Sequence, residues 1–280
     1  MGFNPDISGV RRGAETLLRD LIHERIGIFF DDSKINLLAD KLMPHVLERG
    51  FDSFLDYYYL LKYDQESAEE WRNVINALSV QETYFWREMD QIHALAEDVI
   101  PQLLRKNPYL PIRIWSAACA TGEEPLTIAM RLNENEWFER AAIEIYASDA
   151  SSAALERAQK GSYRERSFRA LPANLKEKYF SFDGKEWSVA PFLSEKITWA
   201  QANLIESGDT MLLSSVSVFF CRNVFIYFSP EAVRRVVKLF AEKMIVPAFL
   251  FVGAAESLLK TTDDFELEEI GNAFVYAKLK

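Results

Sequence analysis

Cysteine and histidine are close to absent: Cys119 and Cys221 are the only cysteines in 280 residues, and His23, His45 and His93 the only histidines. Two cysteines at the ends of separate apolar runs make no disulfide framework, and none of these residues has metal-ligand spacing, so neither a disulfide scaffold nor a metal enzyme is expected. An apolar stretch of the ~18 to 20 residues that a membrane span needs is missing, as is an apolar signal region at the start, so a cytoplasmic protein without direct membrane insertion is expected. Dense Lys/Arg blocks are missing as well. At a formal net charge of −10 the chain repels polyanions, which argues against nucleic acid as a partner.

What is present falls into two textures. Residues 11 to 77 carry four amphipathic runs, "RRGAETLLRDLIHERIG", "DSKINLLADKLMPHVLERG", "FDSFLDYYYLLK" and "DQESAEEWRNVINALS", with apolar residues three and four apart. Asp32 or Ser33, and Asp52 or Ser53, read as N-caps, and Gly27 and Gly50 as helix stops. The spacing predicts a small all-α domain over residues 1–78. Residues 79–111 read as a linker and a connecting helix, about Glu88 to Lys106, closed by Pro108 and Pro111.

From Ile112 strands alternate with helices: "IRIWSA", "IEIYASD", "KITWAQAN", "VSVFFCRN" and "AFLFVGA" are separated by helical patterns such as "GEEPLTIAMRLNENEW" and "SPEAVRRVVKLFAEKMI". The alternation predicts an α/β domain over 112–280 with a mostly parallel sheet. The end, "DDFELEEIGNAFVYAKLK", predicts a hairpin around Ile270-Gly271-Asn272 and hence an antiparallel last strand. Asp183-Gly184 between aromatic runs predicts a small β insertion at about 179–195.

Ligands of such sheets bind beyond the carboxyl ends of the strands. That rim holds Ala117 to Glu124, Ser148-Asp149, Asn203-Leu204 and Cys221 to Asn223. The first loop, "SAACATGEEP", has one glycine, Gly122, where a dinucleotide fingerprint has three, and Glu123 and Glu124 follow it. Two carboxylates repel a pyrophosphate. They favour a ligand with a ribose, no phosphate and positive charge, which describes S-adenosylmethionine; alternatively they only complement the helix dipole. Asp149 has two readings too, a ribose-binding acid or the N-cap of the helix at Ser151.

Five ordered segments, "SVQETYFWRE" (Ser79 to Glu88), "IWSAACATGEEP" (Ile114 to Pro125), "YASD" (Tyr146 to Asp149), "FFCRNVFIYF" (Phe219 to Phe228) and "FLFVGAAES" (Phe249 to Ser257), resemble the motifs of the CheR-type chemotaxis methyltransferases. The resemblance spans nearly the whole chain. It implies a Rossmann-like S-adenosylmethionine-dependent methyltransferase sheet with a small β subdomain, preceded by an all-α domain. It further implies protein-glutamate O-methylation of chemoreceptors, whose cytoplasmic helical bundle would be the partner. By position, Gln81, Thr83, Arg87, Ala117 and Gly122 would belong to the cofactor site. Glu123 would contact the amino-acid portion, Asp149 would hold the ribose, and Asn203 and Leu204 would flank the adenine. Arg222, Asn223 and Tyr227 would line the methyl-transfer site, with Arg87 and Tyr227 as catalytic residues. A substrate glutamate is already ionised at neutral pH, so it needs alignment and a clamp and no general base.

The chain departs from the family pattern in several places. Gln81 stands for an asparagine, and Asp149-Ala150-Ser151 lacks a second acid. Gly253-Ala254-Ala255-Glu256 replaces a "GHSE" signature, so no catalytic part is expected of that segment. Residues 1–78 hold nine Lys/Arg against fourteen Asp/Glu, which weakens electrostatic docking on an acidic bundle unless Arg11, Arg12, Arg19, Lys34, Lys41 and Arg49 share a side. The β insertion has no glycine-rich loop, which predicts an enzyme independent of a receptor C-terminal pentapeptide. The alternatives are a cofactor-binding sensor or scaffold, and a small-molecule methyltransferase on the same sheet.

Overall fold

The computed structural model describes residues 5–65, 67–206, 208 and 216–279, and for residues 5–12 the backbone alone. Two compact units form. The first comprises Met1–Val80 and Tyr227–Ala232, the second Gln81–Ile226 and Val233–Lys280.

The first unit holds α1 (Pro5–Ile26), α2 (Ile35–Glu48), α3 (Phe54–Tyr63) and α4 (Ser67–Leu78). Burial follows the helical period: Ala14, Leu18, Ile22 and Ile26 line α1, and Leu38, Leu42 and Val46 line α2. Ser53 caps α3, its hydroxyl accepting from the Asp56 N–H at 3.2 Å. Ahead of α2 the cap is neither Asp32 nor Ser33. Asp31 caps a 3-10 turn over Asp32–Lys34, and its carboxylate accepts from the Ser33 N–H at 2.9 Å. Asp31 has extended backbone, as a cap requires, whereas Asp32 already belongs to the turn.

Glu70 is 1 % exposed in this core. It accepts from the Tyr57 hydroxyl and from Arg49 Nε, each at 2.5 Å. Burial alone would raise its carboxyl, but those two hydrogen bonds prevail and hold it below the ordinary range. A lowered folded value contributes stability that is present at neutral pH and lost as pH falls through it. Glu70→Ala is therefore expected to destabilise this unit by about 3 kcal/mol, since it strands a buried hydroxyl and an arginine. Urea unfolding followed at Trp71 measures it, and the deficit relative to wild type should shrink on acidification.

The second unit is built on a seven-stranded sheet of order β6-β2-β1-β7-β8-β10-β9. The strands are β1 (Ile112–Ala117), β2 (Ile143–Asp149), β6 (Ile197–Gln201), β7 (Val218–Cys221), β8 (Ala248–Val252), β9 (Glu266–Ile270) and β10 (Ala273–Lys278). Neighbours pair in parallel from β6 to β8, and β10 is antiparallel to both β8 and β9. The antiparallel strand expected at the chain's end is present. Every residue of β7 and of β8 is buried, because helices cover both faces of a parallel sheet. Packing across it is aromatic: Phe219 meets Trp115 and Phe240 at centroid distances of 4.2 and 4.1 Å, and Phe220 stacks on Phe251 at 4.4 Å.

α5 (Met89–Ala94) runs through a π turn (Leu95–Val99) into α6 (Ile100–Lys106). α7 (Glu123–Glu134) and the short α8 (Trp137–Arg140) link β1 to β2, and α9 (Ser152–Lys160) leaves β2. α10 (Ala173–Tyr179) and α11 (Pro191–Ser194) flank the small sheet, and α12 (Pro230–Lys243) precedes β8. The small sheet is larger than the expected hairpin. Its order is β3-β5-β4, with β3 at Ser162–Tyr163, β4 at Phe180–Phe182 and β5 at Trp187–Val189. It thus begins at Ser162, ahead of the expected 179–195.

Candidate functional site

In a sheet of this order the chain crosses from β1 to β2 on one side while β7 lies on the other, which opens a crevice above β1. The connection from β1 to α7 alternates through the left-handed region at Ala118, Ala120 and Gly122 (φ 53°, 49° and 93°). Alanine is held there against its preference. Asp149 does part of this, its Oδ2 accepting from the Ala120 N–H at 2.9 Å while Oδ1 accepts from the Ser151 N–H at 2.8 Å. The N-cap of α9 is Ser151, whose hydroxyl accepts from the Ala154 N–H. Asp149 is thus not the cap; it joins the β1 loop to the start of α9. Burial pushes its carboxyl up, against those backbone hydrogen bonds.

Gly122 has a reason besides its backbone angle. A Cβ there would lie 2.9 Å from Ala158 Cβ and from Trp199 Cη2, and 3.1 Å from the Tyr163 hydroxyl. The close approach that its lack of a side chain permits is made by this chain's own residues.

Glu123 is 2 % exposed at the first turn of α7. It accepts from the Thr121 hydroxyl at 2.7 Å and from the Ser167 hydroxyl at 3.0 Å. Burial raises its carboxyl; the two hydroxyls and the charge of Arg166 oppose the rise. Glu124 diverges from it, accepting from the Ser116 hydroxyl at 2.7 Å and lying 3.5 Å from Arg222 Nε. Burial raises Glu124 too, against Arg222. Cys119 and Cys221 are buried, and burial pushes both thiols up.

The segment before α5 lies over this loop. Phe85, fully buried among Tyr163, Phe168 and Phe180, donates its N–H to the Ser167 carbonyl at 2.9 Å. The Trp86 N–H donates to Thr127 Oγ1, which donates to the Glu123 carbonyl at 2.6 Å. Gln81 accepts from Arg157 at 3.1 Å, and Thr83 is half-buried beside it. Arg87, 26 % exposed, donates to the Glu82 carbonyl at 3.1 Å.

Arg222 has partners that its motif did not suggest. Its side chain is 2 % exposed, donates to the Arg87 carbonyl at 2.8 Å, and lies 3.5 Å from both Glu88 and Glu124. Its Nε is buried with no hydrogen-bond partner among the described residues. Asn223 is left-handed (φ 59°), and its N–H donates to Glu256 Oε2 at 2.8 Å. The same carboxylate takes the Gly253 N–H at 2.7 Å and the Ile226 N–H at 3.2 Å. A Cβ on Gly253 would lie 2.5 Å from Asn223 Nδ2. The segment from which sequence reasoning expected no catalytic part therefore shapes the loop after β7. Its retained Glu256 was the available signal.

Asn203 and Leu204 are buried just after β6, and the Asn203 carboxamide accepts from the Ile205 N–H at 3.1 Å. The neighbouring Ala202 N–H donates to the Asp149 carbonyl at 3.1 Å. Ala117 is buried at the end of β1. Gln81, Thr83, Arg87, Ala117, Gly122, Glu123, Asp149, Asn203, Leu204, Arg222 and Asn223 all belong to the second unit. Tyr227 belongs to the first, where it is 36 % exposed and its carbonyl accepts from the Phe29 N–H at 2.8 Å.

A family model described as the CheR methyltransferase SAM-binding domain matches residues 81–274, and one described as the CheR methyltransferase all-alpha domain matches residues 16–79. The chain belongs to the CheR methyltransferase family. It is 35% identical over 264 residues to chemotaxis protein methyltransferase 2 of Vibrio cholerae, covering 93% of this chain and 91% of that protein. To the chemotaxis protein methyltransferase of Escherichia coli it is 30% identical, covering 86% of this chain and 82% of that one. The CheR chain is accordingly an S-adenosylmethionine-dependent methyltransferase of chemotaxis. The donor set suits that cofactor. The loops after β1, β2 and β7 carry the buried carboxylates Glu123 and Asp149 and the buried Arg222, a set in which acids outnumber the cation, which suits a cation better than a phosphate. Among the described residues no group of His, Cys, Asp and Glu could hold a metal ion, and no helix is long and apolar enough to cross a membrane.

Proposed function

We propose that this CheR protein methylates glutamate side chains of chemoreceptors. The observation that supports the reading most is the pair of buried, hydroxyl- and amide-held carboxylates, Glu123 and Asp149, at the carboxyl ends of β1 and β2 within the matched domain. When bound, S-adenosylmethionine supplies an electrophilic methyl group on a sulfonium. Glu123 retains acceptor capacity beyond its two hydroxyl donors and would take the ammonium. Asp149 would accept from ribose hydroxyls, with Ala117 and Gly122 as the loop backbone beneath. Asn203 and Leu204 would flank the adenine. Gln81, Thr83 and Asn223 would complete the enclosure, and Arg222 would hold the Arg87 peptide in place. Arg87 would clamp the acceptor carboxylate, whose ionised form needs no base, and the family resemblance gives Tyr227 a catalytic part as well.

The test is methyl transfer from labelled S-adenosylmethionine to receptor cytoplasmic fragments, read as alkali-labile methyl ester. Arg87→Ala is expected to lower transfer by about a hundredfold or more while the affinity for S-adenosylhomocysteine changes little. Cofactor binding with no transfer to any fragment would favour a sensor or scaffold, and label appearing in a metabolite would favour a small-molecule methyltransferase.

We also propose independence from a receptor C-terminal pentapeptide. The turn between β4 and β5 is short and self-tied, the Asp183 carboxylate accepting from the Lys185 and Glu186 N–H groups at 2.8 Å. Micromolar affinity for such a peptide would contradict this.

A further inference from the structure

The chain is acidic, but one stretch is not. Residues 156 to 189 hold eight Lys/Arg against five Asp/Glu, in a chain of net charge −10. Most of these cations are paired nearby: Lys176 with Glu165, Lys178 with Glu134, and Lys160 and Arg164 with Glu186. Arg166 is different. It is exposed and makes no ion pair or side-chain hydrogen bond among the described residues, while its charge acts on both Glu82 and Glu123.

Around Tyr84 the cations are arranged and not merely numerous. The Arg169 guanidinium lies 3.7 Å and that of Arg87 5.6 Å from the Tyr84 ring centroid. Arg169 donates to the Glu82 carboxylate at 2.8 Å and Arg87 to the Glu82 carbonyl at 3.1 Å. One residue and one ring thus fix two guanidinium groups, and Arg166 stands beside them. The Arg169 hydrogen bond, with the charges of Arg166 and Arg87, holds the Glu82 carboxyl below its ordinary range. Glu82 faces all three arginines, and Glu88 lies 3.6 Å from Arg87 as well as 3.5 Å from Arg222. A positive surplus of about one charge remains on planar donors, each with N–H groups to spare, which suits bidentate binding of carboxylates.

In the helical unit several described cations are engaged singly: Arg19 is paired with Asp20 and Asp32, Lys34 with Asp31, Arg49 with Glu70, and Lys41 donates to the Ala77 carbonyl.

We propose that Arg87, Arg166 and Arg169, set on Tyr84 and Glu82, form a docking surface for an acidic helical segment of the protein substrate, one that carries further carboxylates beside the acceptor glutamate. The proposal rests on the glutamate-methylation reading for the identity of the acceptor only; the surface itself is fixed by the charges. A nucleic acid is disfavoured because its charge runs on past three arginines onto an acidic protein.

The probe is a fluorescein-labelled helical peptide of about 20 residues with glutamates three and four apart, beside a counterpart with glutamines. Anisotropy at about 50 mM salt should show the full chain binding the glutamate peptide at least tenfold more tightly, with the preference fading toward about 200 mM. Arg166→Glu/Arg169→Glu should weaken glutamate-peptide binding by about tenfold or more, whereas Arg105→Glu, the same type of charge reversal at an exposed site near the end of α6, should change it by less than about twofold. Unaltered affinity for S-adenosylhomocysteine establishes that the double variant is folded. Equal binding of both peptides, equal weakening by Arg105→Glu, or tighter binding of an oligonucleotide of the same charge would overturn the proposal. Peptide binding with these properties but no methyl transfer to receptor fragments would overturn the substrate reading and leave the surface standing.

Discussion

Arg222→Ala is expected to destabilise the sheet unit by roughly 3–5 kcal/mol, the usual consequence of removing one partner from a buried ion cluster. The side chain is 2 % exposed and is the cation between Glu88 and Glu124, each 3.5 Å away. Without it Glu124 stays buried with the Ser116 hydroxyl as its partner, and the Arg87 carbonyl loses its donor. Charge alone will not restore this. Arg222→Lys keeps the cation but not the planar fork that reaches Glu88, Glu124 and a carbonyl together, so partial recovery of stability with poor recovery of methyl transfer is expected. Guanidinium unfolding and receptor-fragment turnover measure the two. A loss below about 1 kcal/mol for the alanine variant would mean that water replaces the guanidinium without penalty.

Glu123→Gln should act in two opposite directions. The carboxyl is 2 % exposed and burial raises it above its ordinary range, so the fold disfavours its ionised form. For an acid with a raised folded value the destabilisation is absent below the unfolded value, grows as pH rises toward the folded value and is complete above it. A neutral isostere removes it. The cofactor-free variant is thus expected to be more stable by on the order of 1 kcal/mol, about 2–4 °C in Tm. The same change deletes the charge proposed to meet the ammonium, so affinity for S-adenosylmethionine should fall about thirtyfold to a hundredfold. Acidification should erase the Tm difference and weaken cofactor binding by the wild type, because protonation makes Glu123 resemble the variant. Melting curves across pH and titration calorimetry read both arms. A cofactor-free variant less stable than wild type, with unchanged affinity, would assign Glu123 a packing role alone.

These two residues differ in how far sequence could disclose them. The buried Glu123 follows the lone glycine of a strand-to-helix loop, and the conflict between that acid and a phosphate site is visible in the string itself. Arg222 reads as one letter of a motif. Its partners come from two other segments, residues 87–88 and Glu124, and no local pattern encodes an arginine that serves the peptide of residue 87. The architecture was largely legible because strand and helix periods differ and the parallel strands are continuously apolar, as in "VFFC" and "AFLFV". β3 was not, since two residues are too few to alternate. The left-handed turns at Ala118 and Ala120 were equally hidden, as alanine gives no sign of a conformation imposed on it by Asp149 and its neighbours.

The β insertion expected from the sequence at about 179–195 has the look of a detachable excursion, a module exchangeable between relatives to change what the enzyme recognises, but the sheet it belongs to starts at Ser162. Tyr163 at its first strand donates its hydroxyl to the Thr121 carbonyl, Ser167 just beyond holds Glu123, and Phe85 leans on the Ser167 carbonyl. A graft that replaced residues 162–189 wholesale would therefore remove one wall of the β1 loop along with the recognition element. β5 is the central strand, paired with both β3 and β4, and Phe180 of β4 packs on Phe85, so only the turn between β4 and β5 is separable and diversification of this subdomain is confined to its tip.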